Sequence, residues 1–208
     1  LPLRGLTLLA VEDSRLTCDM LRLICQRTGA RLRRAETIIA ARAHLACYRP
    51  DLVIVDLGLP DGRGEALIAE VAAQGLPALA LSGDPDGRSA ALEAGAVAFV
   101  EKPIPLVAGL VRLIRQLVAG VGAEPLGDEP EAPVADPAAL RDDLVRAAAL
   151  ISAGGSDASY ATGFVRSLAR TAGDDVLERA ALQGATEAGR AALAAILTQR
   201  LRDLHRVA

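Results

Sequence analysis

Residues 94–103 read AGAVAFVEKP, a short apolar run that closes on an acid, a lysine and a proline. Lys102 is the only lysine among 208 residues, and arginine supplies the other 22 of the 23 Lys and Arg side chains. The two cations are not equivalent, because lysine is a compact point charge that can sit against a single phosphoryl oxygen, whereas arginine is a planar fork. The same arrangement, an apolar run closed by a polar group, occurs three more times. Leu6–Val11 is followed by Glu12-Asp13, Leu52–Val55 by Asp56, and Ala78–Leu81 by Ser82. These runs lack clean alternation, which is how strands buried on both faces of a parallel sheet read.

Between the runs lie segments with helical spacing. Leu16, Met20, Leu23 and Ile24 form one stripe, and Ile39, Ala43 and Ala46 a second. Ala66, Ile68 and Val71 follow more loosely, and Leu106, Leu110, Leu113 and Leu117 form a stripe after Pro105. Arg31–Ala35 (RLRRA) is the weakest strand, and its three arginines suit a sheet edge. Alternating strands and helices predict an α/β fold, a doubly wound parallel sheet of five strands. Ligands bind such sheets outside the carboxyl ends of the strands, so the four polar sites are expected to converge there.

Their chemistry is complementary. Asp13 and Asp56, with Glu12 beside them, offer the hard oxygen ligands that suit Mg²⁺. A carboxylate can accept a phosphoryl group as an acyl phosphate. Lys102 and the Ser82 hydroxyl suit two oxygens of such a group, whose transfer depends on positioning and charge neutralisation. Taken singly, each site also has an ordinary reading. Glu12-Asp13 can be a solvated turn that caps a helix, Asp56 a loop acid and Lys102 a surface charge. Ser82-Gly83-Asp84-Pro85 has the composition of a turn, and Phe99 suits a core as well as a switch.

Together and in this order, these residues resemble the active site of a response-regulator receiver domain, over about the first 121 residues. The segment DLGLPDGRG from Asp56 resembles the family's loop after the acceptor, and AGAVAFVEKP its last strand and lysine–proline pair. The resemblance implies a flavodoxin-like fold in which Asp56 is phosphorylated by a partner histidine kinase or phosphotransfer protein. It implies that Asp13, Asp56 and the backbone carbonyl of Gly58 bind Mg²⁺, with Glu12 acting through water. Ser82 and Lys102 would hold phosphoryl oxygens, Phe99 would be the switch aromatic, and Lys102-Pro103 would be cis. Serine at 82 and glutamate at 12 are mild departures from the family's threonine and aspartate. The implied protein is a signalling switch and not an enzyme, with at most slow loss of its own phosphoryl group. Its readout surface would run from about Arg88 to Leu117, the fourth helix, fifth strand and fifth helix, and a homodimer could form through this surface or through the helical domain.

Composition bounds the rest. Hydrophobic residues make up 51% of the chain, enough for a sizeable core, and no apolar stretch nears the roughly 20 residues of a membrane helix. No signal-peptide pattern opens the chain. A net charge of −3 gives no general attraction to nucleic acid or anionic membrane. Cys18, Cys25 and Cys47 lack metal-ligand spacing and read as reduced, core-packed thiols of a cytoplasmic protein. Aromatics at 2% disfavour a flavin site, Gly58 stands where an aspartate-nucleophile phosphatase needs a second acid, and no Gly-rich phosphate loop is present.

The chain divides into residues 1–121, a Pro- and acid-rich linker at 122–137, and a helical output or interaction domain at 138–208. Residues 123–137 (AEPLGDEPEAPVADP) hold four prolines and five acids without a base, a composition for an extended connector. Asp136-Pro137 then reads as a helix start. Leu140, Leu144, Ala147 and Ile151 mark a helix that Gly154-Gly155 ends. Tyr160, Phe164 and Leu168 mark a second, Val176, Leu177 and Ala180 a third, and Leu193, Ile196, Leu197, Leu201 and Leu204 a fourth. Nine arginines face eight acids from Ala138 onward, so no broad basic footprint appears. A module for protein interaction or dimerisation is the expected output. The alternative is a DNA-binding transcriptional regulator, with Arg166 and Arg170 of Phe164–Thr171 as its thin basic helix. Neither His44 nor His205 sits in a catalytic constellation.

Overall fold

A computed structural model describes residues 1–104, 107–120, 136–153 and 158–207. Strands β1 (Thr7–Val11), β2 (Arg31–Ala35), β3 (Leu52–Asp56), β4 (Ala78–Ser82) and β5 (Ala98–Glu101) form one parallel sheet. Their order is β2-β1-β3-β4-β5, which leaves RLRRA at the edge with Arg31 and Arg33 exposed, as its charges require. Helices α1 (Arg15–Thr28), α2 (Ile38–Cys47), α3 (Gly64–Ala73), α4 (Arg88–Glu93) and α5 (Val107–Val118) alternate with the strands.

Each strand sends successive side chains to opposite faces, and both faces are covered. Leu8, Ala10, Ile54, Leu79, Leu81 and Val100 pack with Leu16, Met20 and Ile24 of α1 and Leu110 and Ile114 of α5. Leu9, Val11, Val53, Val55, Ala80 and Phe99 pack with Ile38 of α2, Leu67, Ile68 and Val71 of α3, and Ala91 of α4. Two-sided burial is the reason these strands read as unbroken apolar runs.

Helix faces differ from the spacing in places. In α2 the buried residues are Ile38 and Ala41, while Ile39 is 70% exposed and Ala43 and Ala46 face solvent. An alanine-rich helix offers little contrast between faces, so spacing alone does not select one. Leu23, Ala66 and Val176 are likewise exposed. Cys18 and Cys25 are buried free thiols, but Cys47, expected in the core, is exposed at the end of α2. The N-termini are set by side chains: Ser14 Oγ accepts from the Thr17 N–H at 3.1 Å and Thr37 Oγ1 from the Ala40 N–H at 3.0 Å. The loop after β3 holds a feature with no counterpart in the sequence reading, a two-residue antiparallel ladder of Gly58–Leu59 with Gly62–Arg63.

The C-terminal part forms α6 (Pro137–Ala153), α7 (Ala158–Ala172), α8 (Asp175–Leu182) and α9 (Glu187–Val207). Pro137 opens α6, and the Asp136 carboxylate accepts from the Ala138 N–H at 2.9 Å, as the dipeptide led one to expect. The linker except for its last two residues, the Gly154-Gly155 stop, Pro105 and Leu106 fall outside the described residues. The four helices pack on one another, and α6 and α7 also pack on α1. One apolar cluster runs unbroken from Leu8 and Met20 through Leu113 to Leu144, Phe164, Leu168 and Leu197. No described helix is long and apolar enough to cross a membrane.

Candidate functional site

Parallel pairing brings the carboxyl ends of β1, β3, β4 and β5 to one edge of the sheet, and the polar residues that close the runs meet there. Lys102 Nζ lies 2.7 Å from Glu12 Oε2 and 3.0 Å from Asp56 Oδ2. The Lys102 N–H donates to the Ser82 carbonyl at 2.8 Å, one step beyond the β4–β5 ladder, which aims the lysine at the pocket. The Lys102-Pro103 peptide bond is cis. One oxygen each from Glu12, Asp13 and Asp56 lies within 4.8 Å of the others. The Gly58 N–H donates to Asp56 Oδ1 at 3.2 Å, and Ser82 Oγ accepts from the Asp84 N–H at 3.0 Å. Asp56, Gly58 and Ser82 line one cavity of about 430 Å³. Phe99 stands apart from this cluster, buried in the core on the α3 side with the Arg88 guanidinium 4.8 Å from its ring centre.

The charges are withdrawn from water. Lys102 is 1% exposed, and Glu12, Asp13 and Asp56 are buried with it. Burial lifts the Glu12 carboxyl well above its ordinary 4.5, and the neighbouring Asp56 adds to the rise. Burial also raises Asp13, opposed by a hydrogen bond from the Tyr160 hydroxyl. For Lys102, burial pulls the amine down, but the charges of Asp56 and Glu12 outweigh it and hold the ammonium above its usual 10.5. Even with the Arg146 guanidinium 2.9 Å from Asp13, three carboxylates outnumber the two cations and leave a surplus of negative charge. Asp13 Oδ1 is buried with no hydrogen-bond partner. Clustered hard oxygens and an unsatisfied carboxylate oxygen fit a hard divalent cation.

Three residues of the helical part touch this cluster and a fourth meets the helix beside it, none singled out as a site residue by the sequence. Arg146 of α6 donates to the Asp13 carboxylate at 2.9 Å and to its backbone carbonyl at 2.7 Å. The Tyr160 hydroxyl donates to the same carboxylate. Ser167 Oγ of α7 is 2.9 Å from Lys102 Nζ, and Asp143 of α6 meets the start of α1. The available signal was faint: Tyr160 appears as one mark of an apolar stripe, and a tyrosine on such a face needs a partner for its hydroxyl when buried. The arginines considered for a basic recognition helix are engaged differently. Arg166 pairs with Asp84 at 3.2 Å, and Arg170 with Glu101 and Glu178.

Residues 8–114 match the family model described as the response regulator receiver domain. This chain belongs to the response-regulator receiver family. Among curated proteins, it is 35% identical over 124 residues to the KDP operon transcriptional regulatory protein KdpE of Escherichia coli (strain K12). That match takes in 57% of this chain and 55% of KdpE, so the chain spans about half the length of that relative. Among solved structures, a response regulator from Chloroflexus aurantiacus J-10-fl is 31% identical with a TM-score of 0.53, over 56% of this chain and 99% of that one. The receiver domain of a sensor histidine kinase from Pseudomonas aeruginosa PAO1, with a magnesium ion coordinated in its active-site cleft, shares the fold. It is 24% identical with a TM-score of 0.51, over 55% of this chain and 98% of that one. The family model ends at residue 114, before α6, and does not extend over the helical part.

Proposed function

We propose that this chain is a two-component phosphorelay response regulator whose receiver accepts a phosphoryl group on Asp56 and thereby controls its helical module. The observation that supports it most is the lone lysine, held 3.0 Å from the Asp56 carboxylate amid an acidic cluster. In the reaction, an Asp56 carboxylate oxygen attacks the phosphorus of a phosphohistidine in a sensor kinase or phosphotransfer protein. The P–N bond breaks as the O–P bond forms, and the imidazole leaves with the electron pair. Asp13, Asp56 and the Gly58 carbonyl would hold Mg²⁺, with Glu12 acting through water, and the ion would supply charge neutralisation for the crowded oxygens. Lys102 and Ser82 hold phosphoryl oxygens by charge-assisted and hydroxyl hydrogen bonds. Movement of the Ser82 loop and Phe99 then shifts a two-state equilibrium, each tenfold step of which takes about 1.4 kcal/mol. The switch has no catalytic turnover beyond loss of its own phosphoryl group, and it works in the cytoplasm.

Incubation with a small phosphodonor and Mg²⁺, followed by intact-mass analysis, tests the assignment. The native chain gains one phosphoryl group and Asp56→Ala gains none; equal labelling of the two would end it.

A second reading, a transcriptional regulator, draws on the name of the Escherichia coli relative. It requires Arg166 and Arg170 to leave Asp84 and Glu101 before they can meet DNA phosphates. A mobility shift that appears only with the phosphorylated chain would favour it over a protein-interaction module.

A further inference from the structure

The receiver pocket is covered by a segment of its own chain, and the contacts fall on the groups that do its chemistry. Asp143 is 1% exposed, and its carboxylate accepts from Ser14 Oγ at 2.8 Å, the Arg15 N–H at 3.0 Å and the Leu16 N–H at 2.9 Å. A residue of α6 thus caps the helix that follows Glu12-Asp13, where a carboxylate meets unpaired amides and the positive end of the helix dipole. One turn on along α6, Arg146 holds the Asp13 carboxylate together with Tyr160 of α7, and the Arg146 guanidinium is itself steadied over the Phe164 ring at 4.9 Å. On α7, Ser167 approaches so closely that a Cβ at Gly83 would lie 2.8 Å from its Cα.

The crowding of oxygens around Lys102 turns this contact into a competition. Nζ hydrogen-bonds Asp56 Oδ2 and Ser167 Oγ and forms an ion pair with Glu12 Oε2, so three oxygens already crowd the ammonium. A phosphoryl oxygen drawn to the same ammonium competes with these oxygens for it, and the neutral hydroxyl is the weakest competitor. At Asp13 the argument is one of charge. The guanidinium supplies, beside a carboxylate, part of the positive charge that a divalent cation would bring.

We propose that α6 and α7 act as a resident ligand of the receiver pocket, with Arg146–Tyr160 competing for Asp13 against the divalent cation and Ser167 competing for Lys102 against the phosphoryl group. Metal and phosphoryl binding therefore loosen the helical module, and by reciprocity the docked module weakens both. This rests on the receiver reading above and adds how the output is held back. The four docking residues, Asp143, Arg146, Tyr160 and Ser167, are positioning residues that act through Ser14, Asp13 and Lys102.

The test uses the full chain, Mn²⁺ binding followed by electron paramagnetic resonance, and hydrogen exchange at the Arg15 and Leu16 amides. Arg146→Gln is expected to bind Mn²⁺ about tenfold more tightly than the native chain, within the usual range of coupling between sites. Tyr160→Phe deletes one oxygen, is expected to tighten binding a few-fold, and keeps the test valid should Arg146→Gln disturb α6. In the native chain, Mg²⁺ with beryllofluoride is expected to speed exchange at Arg15 and Leu16, because Asp143 leaves them. Unchanged Mn²⁺ affinity in both variants, or amides that stay protected under beryllofluoride, overturns the competition while metal binding by the receiver stands. Failure of every form, native included, to bind Mn²⁺ overturns the receiver reading beneath it.

Discussion

The two halves of this chain place charge in opposite ways. The receiver half draws Glu12, Asp13, Asp56 and Lys102 into one buried cluster at the strand ends. The helical half pairs its charges at partly exposed rims, as in Arg200 with Asp174 and Arg170 with Glu178. Rim pairs in high dielectric contribute little. Buried clusters cost desolvation that stability alone does not repay, and they concentrate at functional sites. The exceptions teach most: Asp143 is buried and Arg146 meets a buried carboxylate, and both sit where the helical half meets the receiver.

Substitutions on the two sides should separate these regimes. The largest contrast is chemical, since Asp56→Ala is expected to abolish phosphoryl uptake entirely, whereas Asp174→Ala leaves it intact, as read by intact mass. Next, Lys102→Ala strips the counter-charge from Glu12 and Asp56 and is expected to cost about 3–5 kcal/mol, the penalty of breaking a buried pair. An unfolding free energy from urea melts that falls by less than about 1 kcal/mol would break the distinction between cluster and rim. Asp143→Ala removes three hydrogen bonds to a buried carboxylate and is expected to cost about 1.5–3 kcal/mol, midway between the two.

Arg200→Ala should cost only about 0.2–1 kcal/mol near neutrality, and the loss carries a pH signature. The hydrogen bond from Arg200 lowers the Asp174 carboxyl below its ordinary 3.8. A depressed acid stabilises the fold above its unfolded value, and that contribution disappears as pH falls through the lower folded value. The native chain and Arg200→Ala should therefore converge in stability below 3.8, as followed by urea melts across the acid range. Smallest of all, an alkylating reagent should modify Cys47 in the folded chain and spare the other two. Burial pushes the Cys25 thiol up to about 11 and Cys18 higher still, so labelling of either without unfolding would count against the receiver core described here.

The sheet half was legible because its signals are local. An apolar run buried on both faces, a helical spacing and a polar residue at the end of each strand are all contained within about ten residues. Arg31–Ala35 was placed at the edge by its own arginines. Alanine-rich α2 was misread in its facing, because Ile38 and Ile39 are interchangeable to a periodicity argument and only packing against β1 and β2 chooses between them. The two-residue ladder after Asp56 is too short to leave a pattern.

The amino-acid order by itself determined the strand sequence, the family and the pocket residues Glu12, Asp13, Asp56, Ser82 and Lys102, because parallel β/α units deliver strand ends to one edge whatever the details of packing. Tertiary structure alone decided that Asp143, Arg146, Tyr160 and Ser167 reach that pocket. Their partners lie more than 60 residues away along the chain. A polar side chain on an amphipathic helix has the same local spacing whether it faces water or a buried carboxylate, so only the docking of one half on the other distinguishes the two.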